Sequence, residues 1–161
     1  MDKILQQSIR RWLLLFMVAL FISGLTAMPA EMELRFLTRL IPPGTYLGDW
    51  LDRVLVGVTE TNRLYPFIGY GYDWLAFAHF VLALLFIGPY RDPVRNRWVI
   101  EFGLIACVLI LPFALVAGEF RGIPWGWRFI DCGFGVVGLL PLLIVYRKIR
   151  LLNEAGTGTA A

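Results

Sequence analysis

The run WVIEFGLIACVLILPFALVAG, residues 98–118, decides the fold. It carries a single charged side chain, Glu101, in 21 positions. About 20 apolar residues in helical form cross the hydrocarbon core of a bilayer. Three further stretches read the same way, over residues 12–28, 74–89 and 129–146. The chain has 161 residues, is 58% hydrophobic and has a mean hydropathy of +0.68. A soluble domain of this length keeps a lower and more scattered apolar fraction. The expected fold class is therefore an all-α membrane protein with four transmembrane helices. These spans leave no room for a second folded domain, so residues 1–152 form a single four-helix transmembrane domain. The second stretch is short and is expected to cross steeply.

The basic residues orient the spans. Lys3, Arg10 and Arg11 precede the first, Arg91, Arg95 and Arg97 lie between the second and third, and Arg147, Lys148 and Arg150 follow the fourth. Cytoplasmic ends of membrane helices collect Lys and Arg, so these groups predict both termini inside, N-in and C-in. The remaining arginines fall on the other side, diluted by Glu31, Glu33, Asp49, Asp52, Glu60, Asp73 and Glu119. The net charge of +3 then has a membrane origin and implies no nucleic-acid partner. Trp50, Trp74, Trp125 and Trp127 mark the outer boundary, and Trp12, Tyr90, Trp98 and Tyr146 the inner one, as interfacial aromatics do. The expected location is the inner (cytoplasmic) membrane, with membrane lipids as neighbours. The segment after the first stretch, Ser23 to Pro29, lacks a small-x-small cleavage site, so that stretch is read as a retained span.

Residues 30–65 are the largest non-spanning piece. Residues 30–41 predict a short amphipathic helix with Met32, Phe36, Leu37 and Leu40 on one face and Glu31, Arg35 and Arg39 as an i, i+4 ladder on another. Pro42-Pro43-Gly44 ends it. A second amphipathic helix follows, on Leu47, Trp50, Leu51, Val54, Leu55 and Val58. Both are expected at the outer interface. Pro112 and Pro141 are expected to kink the third and fourth spans, and the tail 153–161 is expected to be disordered. Cys107 and Cys132 are read as small packing residues at different depths rather than a disulfide. The spacing Gly133, Gly135, Gly138 matches a dinucleotide-binding fingerprint, but it sits inside a span, where small residues let helices approach closely.

Ionisable groups in or at the rim of spans carry the functional expectation, because a charge in lipid is costly and faces inward or pairs. Asp73, His79, Glu119, Arg128 and Asp131 all fall in the outer half of the second, third and fourth spans. They are the candidate outer polar pocket. His79 lies about 9 Å along its helix from Asp73. The competing structural reading pairs Arg128 with Asp131 at i, i+3, makes Asp73 and Glu119 helix-end groups, and leaves His79 a packed neutral imidazole. Glu101 is expected to bridge to Arg97 at i, i+4, or to Arg147. A single histidine among carboxylates is a poor zinc set, and nothing supports haem ligation, so neither a metal nor a cofactor is expected. No serine or thiol is obviously placed as a nucleophile.

The order of these residues resembles the VanZ-like membrane proteins: the small polar end of the first span, Asp73 and His79 entering the second, a basic inner loop, Glu119 ending the third, then Arg128, Asp131, Gly135 and Gly138. Gly122 and Gly135 stand where the family has a glutamine and an asparagine. The resemblance implies a cell-envelope protein, from a family associated with reduced sensitivity to glycopeptide antibiotics such as teicoplanin. Three functional expectations follow. The first is a lipid or lipid-linked headgroup bound in the outer pocket, with Arg128 as anion contact and His79 and Asp131 orienting it. The second is a non-catalytic subunit or scaffold that docks a membrane-protein partner through 30–65. The third is a membrane enzyme with His79 as general base near Glu119 or Asp131.

Overall fold

The computed structural model describes residues 2–157. Helix α1 spans Asp2–Ala27, α2 Ala30–Leu40, α3 Tyr46–Leu64, α4 Tyr70–Leu85, α5 Ile87–Arg91, α6 Arg97–Phe120 and α7 Trp125–Thr157, with a 3₁₀ turn at Pro66–Ile68. Among the described residues there is no strand. Four stretches are long and apolar enough to cross a membrane: Lys3–Ala27, Pro66–Arg91, Arg97–Phe120 and Trp125–Glu154. Each overlaps a run expected from the sequence. The architecture is that of an all-α, multi-pass membrane protein. The outward surface of α6, with Ile105, Val108, Leu109, Phe113, Val116 and Phe120 exposed, has the apolar character that lipid contact demands.

The second stretch differs from its expectation. It is 26 residues long rather than short, because the 3₁₀ turn precedes α4 and the short α5 follows it. The helix breaks at Phe86, between α4 and α5. Pro89 has no N–H to give the Leu85 carbonyl, so the ladder cannot run through, and Tyr90 N resumes it on the Phe86 carbonyl at 3.1 Å. By contrast, α6 and α7 remain helical through Pro112 and Pro141. Helix α7 continues to Thr157, and the last residues of the tail read as disordered, 158–161, lie outside the described residues.

The chain groups into two compact units. The first joins the residues up to Ala19 with those from Ala83 onward. Helices α6 and α7 form its main contact, and Ile9, Leu13, Phe86, Ile100, Leu142 and Val145 are buried in it. Small residues set the helix spacing. A Cβ on Gly135 would stand 2.5 Å from the Cys107 carbonyl oxygen, and one on Gly138 would stand 2.9 Å from Cys107 Sγ. The glycine spacing is thus a packing device, and both cysteines are free and buried. Phe16 meets Phe86 edge-on at 4.8 Å between centroids. At the opposite end of α6 from Phe120, Arg97 Nε donates to Glu101 at 2.8 Å, as the i, i+4 spacing predicts, and Arg97 Nη2 donates to the Tyr146 hydroxyl of α7 at 2.6 Å. Lys148 Nζ donates to the Ser8 hydroxyl, joining α7 to α1.

The second unit is Leu20–Leu82. The last turns of α1 pack on α4 at Gly24, where a Cβ would lie 2.8 Å from both the Ala76 carbonyl oxygen and His79 Cβ. Phe21 and Phe80 stack beside it at 4.8 Å. Helices α2 and α3 form a hairpin, as the two amphipathic patterns predict. Its turn is capped twice. Thr45 Oγ1 accepts from Gly48 N at 3.0 Å, and Asp49 Oδ1 accepts from Gly44 N at 2.8 Å. Gly44 has φ +84°, the left-handed conformation that favours glycine after Pro42-Pro43.

Candidate functional site

The five sequence-predicted residues divide between the units. Asp73 and His79 stand on α4 in the second unit, whereas Glu119, Arg128 and Asp131 belong to the first.

In the first unit, the turn between α6 and α7 brings Glu119 and Arg128 together. Arg128 Nη1 donates to Glu119 Oε2 at 2.5 Å, and Nε donates to the Ile123 carbonyl at 2.6 Å. The guanidinium carbon lies 4.4 Å from the Trp125 ring centroid. Gly118 leaves the space through which the Arg128 stem passes, since a Cβ there would meet Arg128 Cδ at 2.8 Å. The Arg128 side chain is 5% exposed, against 68% for Glu119. The i, i+3 pairing of Arg128 with Asp131 is not formed. The partner is Glu119, because the turn at Gly122, with φ +64°, folds the end of α6 back over the start of α7. Burial, an ion pair, a carbonyl and an aromatic face hold this cation as a structural clasp.

In the second unit, His79 Nδ1 donates to the Leu75 carbonyl at 2.8 Å, one turn back on the same helix. Asp73 sits six residues earlier and lines an open cleft of about 660 Å³. Glu31 and Arg35 of α2 and Asn62 of α3 supply the cleft's other polar groups, while Met28, Met32, Tyr70 and Tyr72 supply apolar and aromatic surface. The polar side is organised. Arg35 donates to Glu31 Oε1 through Nε at 3.2 Å and Nη2 at 2.7 Å, and Asn62 Nδ2 donates to Glu31 Oε2 at 3.0 Å. The Arg35 guanidinium, and secondarily the Asn62 amide, hold the Glu31 carboxyl below its ordinary value of 4.5, so it is ionised at neutral pH. Asp73 is exposed and makes no side-chain hydrogen bond or ion pair within the described residues.

Sequence reasoning found Asp73 but missed that Glu31, Arg35 and Asn62 share its cleft. The i, i+4 spacing of Glu31 and Arg35 signalled a pair, and nothing local signalled Asn62, which lies 31 residues further on. Among the described residues, no group of three or more His, Cys, Asp or Glu side chains is arranged to hold a metal ion. No family model matches the chain, and no curated protein or solved structure matches it.

Proposed function

We propose that this protein binds the polar headgroup of a lipid or lipid-linked molecule at the outer face of the inner membrane, with both of its own termini inside. The carrying observation is the cleft formed by Glu31, Arg35, Asn62 and Asp73 with Met28, Met32, Tyr70 and Tyr72. It combines both signs of charge with apolar surface, directly where the first membrane stretch ends at Ala27. A headgroup needs that combination: fixed polar contacts for the head and an apolar flank for the start of the chains. The free Asp73 carboxylate suits an ammonium, and Arg35, with Nη1 still available, suits a phosphate. Arg128, the anion contact expected from the sequence, is buried and bonded to both Glu119 and the Ile123 carbonyl, whereas Arg35, though paired with Glu31, is half exposed at the cleft, so in this reading Arg128 builds the turn and Arg35 takes the anion. The resemblance to VanZ-like proteins is in keeping with a cell-envelope role.

Photo-crosslinking with a phosphatidylethanolamine analogue in proteoliposomes tests the reading. Asp73→Asn and Arg35→Gln should each reduce labelling several-fold at unchanged folded yield. Labelling indifferent to both changes overturns it. The orientation is read separately. A cysteine at position 43, Pro43→Cys, should react with an impermeant maleimide on intact cells, and Val94→Cys only after permeabilisation.

A further inference from the structure

The second helix carries an apolar stripe of which the cleft borders only Met32. Met32, Phe36 and Leu40, at i, i+4 and i+8, are 68%, 60% and 62% exposed. No residue of α2 is buried. Leu37, expected on the same face as these three, is instead half-buried with Leu34 further round the helix, so the apolar side chains of α2 point two ways. Arg39 flanks the stripe. It is exposed and has no ion pair among the described residues, whereas its neighbour Arg35 is paired with Glu31.

Chain connectivity says what covers the stripe. Only Met28 and Pro29 separate the end of α1, a membrane-crossing stretch, from the start of α2. Three peptide units reach at most about 11 Å. At its other end the hairpin leaves α3 at Leu64, and the next membrane-crossing stretch starts at Pro66. Both ends of the α2–α3 hairpin are thus tied to the ends of apolar spans. An amphipathic helix held there lies with its apolar face in the boundary between headgroups and acyl chains. A lone arginine beside that face meets lipid phosphate.

We infer that α2 docks on the bilayer, with Met32, Phe36 and Leu40 inserted among the acyl chains and Arg39 on a lipid phosphate. The stripe meets the cleft at Met32, but its docking is read at Phe36, outside the cleft lining, and stands or falls independently of headgroup capture. It makes α2 a depth gauge that holds the cleft at the level of the headgroups.

Spin labels on Phe36→Cys and, as a water-facing reference, Asp52→Cys test the docking. Both are made in the full chain with Cys107→Ala and Cys132→Ala, reconstituted in phosphatidylethanolamine/phosphatidylglycerol vesicles. The ratio of oxygen to nickel-chelate accessibility should be several-fold higher at position 36 than at position 52. Adding Arg39→Glu should lower the ratio at position 36. A label at 36 that nickel reaches as readily as at 52 overturns the inference. So does one shielded from both relaxers with spin–spin broadening, which marks a second copy of the chain on the stripe. Shielding from both relaxers without broadening marks protein cover of another kind and overturns it equally.

Discussion

Asn62 and Glu31 are 31 residues apart and joined by a 3.0 Å hydrogen bond, which ties the last turn of α3 to the first turn of α2. One amide thereby sets the position of a carboxylate that Arg35 also grips. The hairpin's open end is closed by this contact, and its turn end by Thr45 and Asp49.

Asn62→Leu keeps the side-chain size and removes the donor. Glu31 then keeps its bond to Arg35 but loses the amide. Hydrogen exchange of the first turns of α2 should accelerate several-fold, while α6 and α7, in the other compact unit, stay protected. Equal acceleration throughout would mean that the bond supports global rather than local stability.

The same carboxylate gives the hairpin a pH dependence. The Glu31 pKa is lower in the folded chain than the ordinary 4.5, so the folded state binds its proton less readily than the unfolded one. Its stabilisation is therefore fully present above the ordinary carboxylate value and is lost as pH falls through the lowered one. Protection of α2, corrected for intrinsic exchange, should fall on acidification into that window. Glu31→Gln should show weaker protection and a flatter acid limb.

The Arg128 clasp predicts unequal costs for its two partners. Glu119→Gln weakens a pair whose acid is exposed and should cost about 1–2 kcal/mol. Arg128→Ala removes the pair, the Ile123 carbonyl contact and the Trp125 stacking together. It should cost about 2–4 kcal/mol. Unfolding in mixed detergent micelles measures both, and equal losses would mean that the Ile123 carbonyl and Trp125 contacts add nothing to the ion pair.

Two glycines on opposite faces of α7, two residues apart, should respond unequally to the same change. At Gly133 a Cβ meets nothing within 4 Å, whereas at Gly135 it meets the Cys107 backbone carbonyl at 2.5 Å. Backbone cannot rotate away as a side chain can, so Gly135→Ala must separate α6 from α7, at about 1–3 kcal/mol. Gly133→Ala should stay within about 0.5 kcal/mol of the parent.

Much of this architecture is legible in the sequence, because a membrane imposes length and composition on each span. The runs around 98–118 and 129–146 announce α6 and α7, and the i, i+4 spacings announce the pairs Arg97–Glu101 and Arg35–Glu31. Spacing along one helix is local, and local geometry is readable. The Arg128 partner was not. Sequence spacing offers its i, i+3 neighbour Asp131 in the structural reading, and the Gly122 turn brings in Glu119 from the preceding helix instead. Asn62 escaped for the same reason, since a polar residue late in an amphipathic helix has many equivalent readings until a hairpin brings it to Glu31. The break at Phe86 was readable in principle from Pro89, whose missing donor acts four residues upstream.

Lys148 reaches Ser8 across 140 residues of sequence, and that separation governs assembly. The helix synthesised first cannot complete its contacts until the last one has entered the bilayer. Until then that helix rests on earlier contacts alone, such as Phe16 against Phe86 and Gly24 against α4. A chain arrested before α7 would consequently lose more than its missing helix: Ser8 would go without its lysine and α6 without its principal neighbour, exposing surface to misassembly at both ends of the sequence.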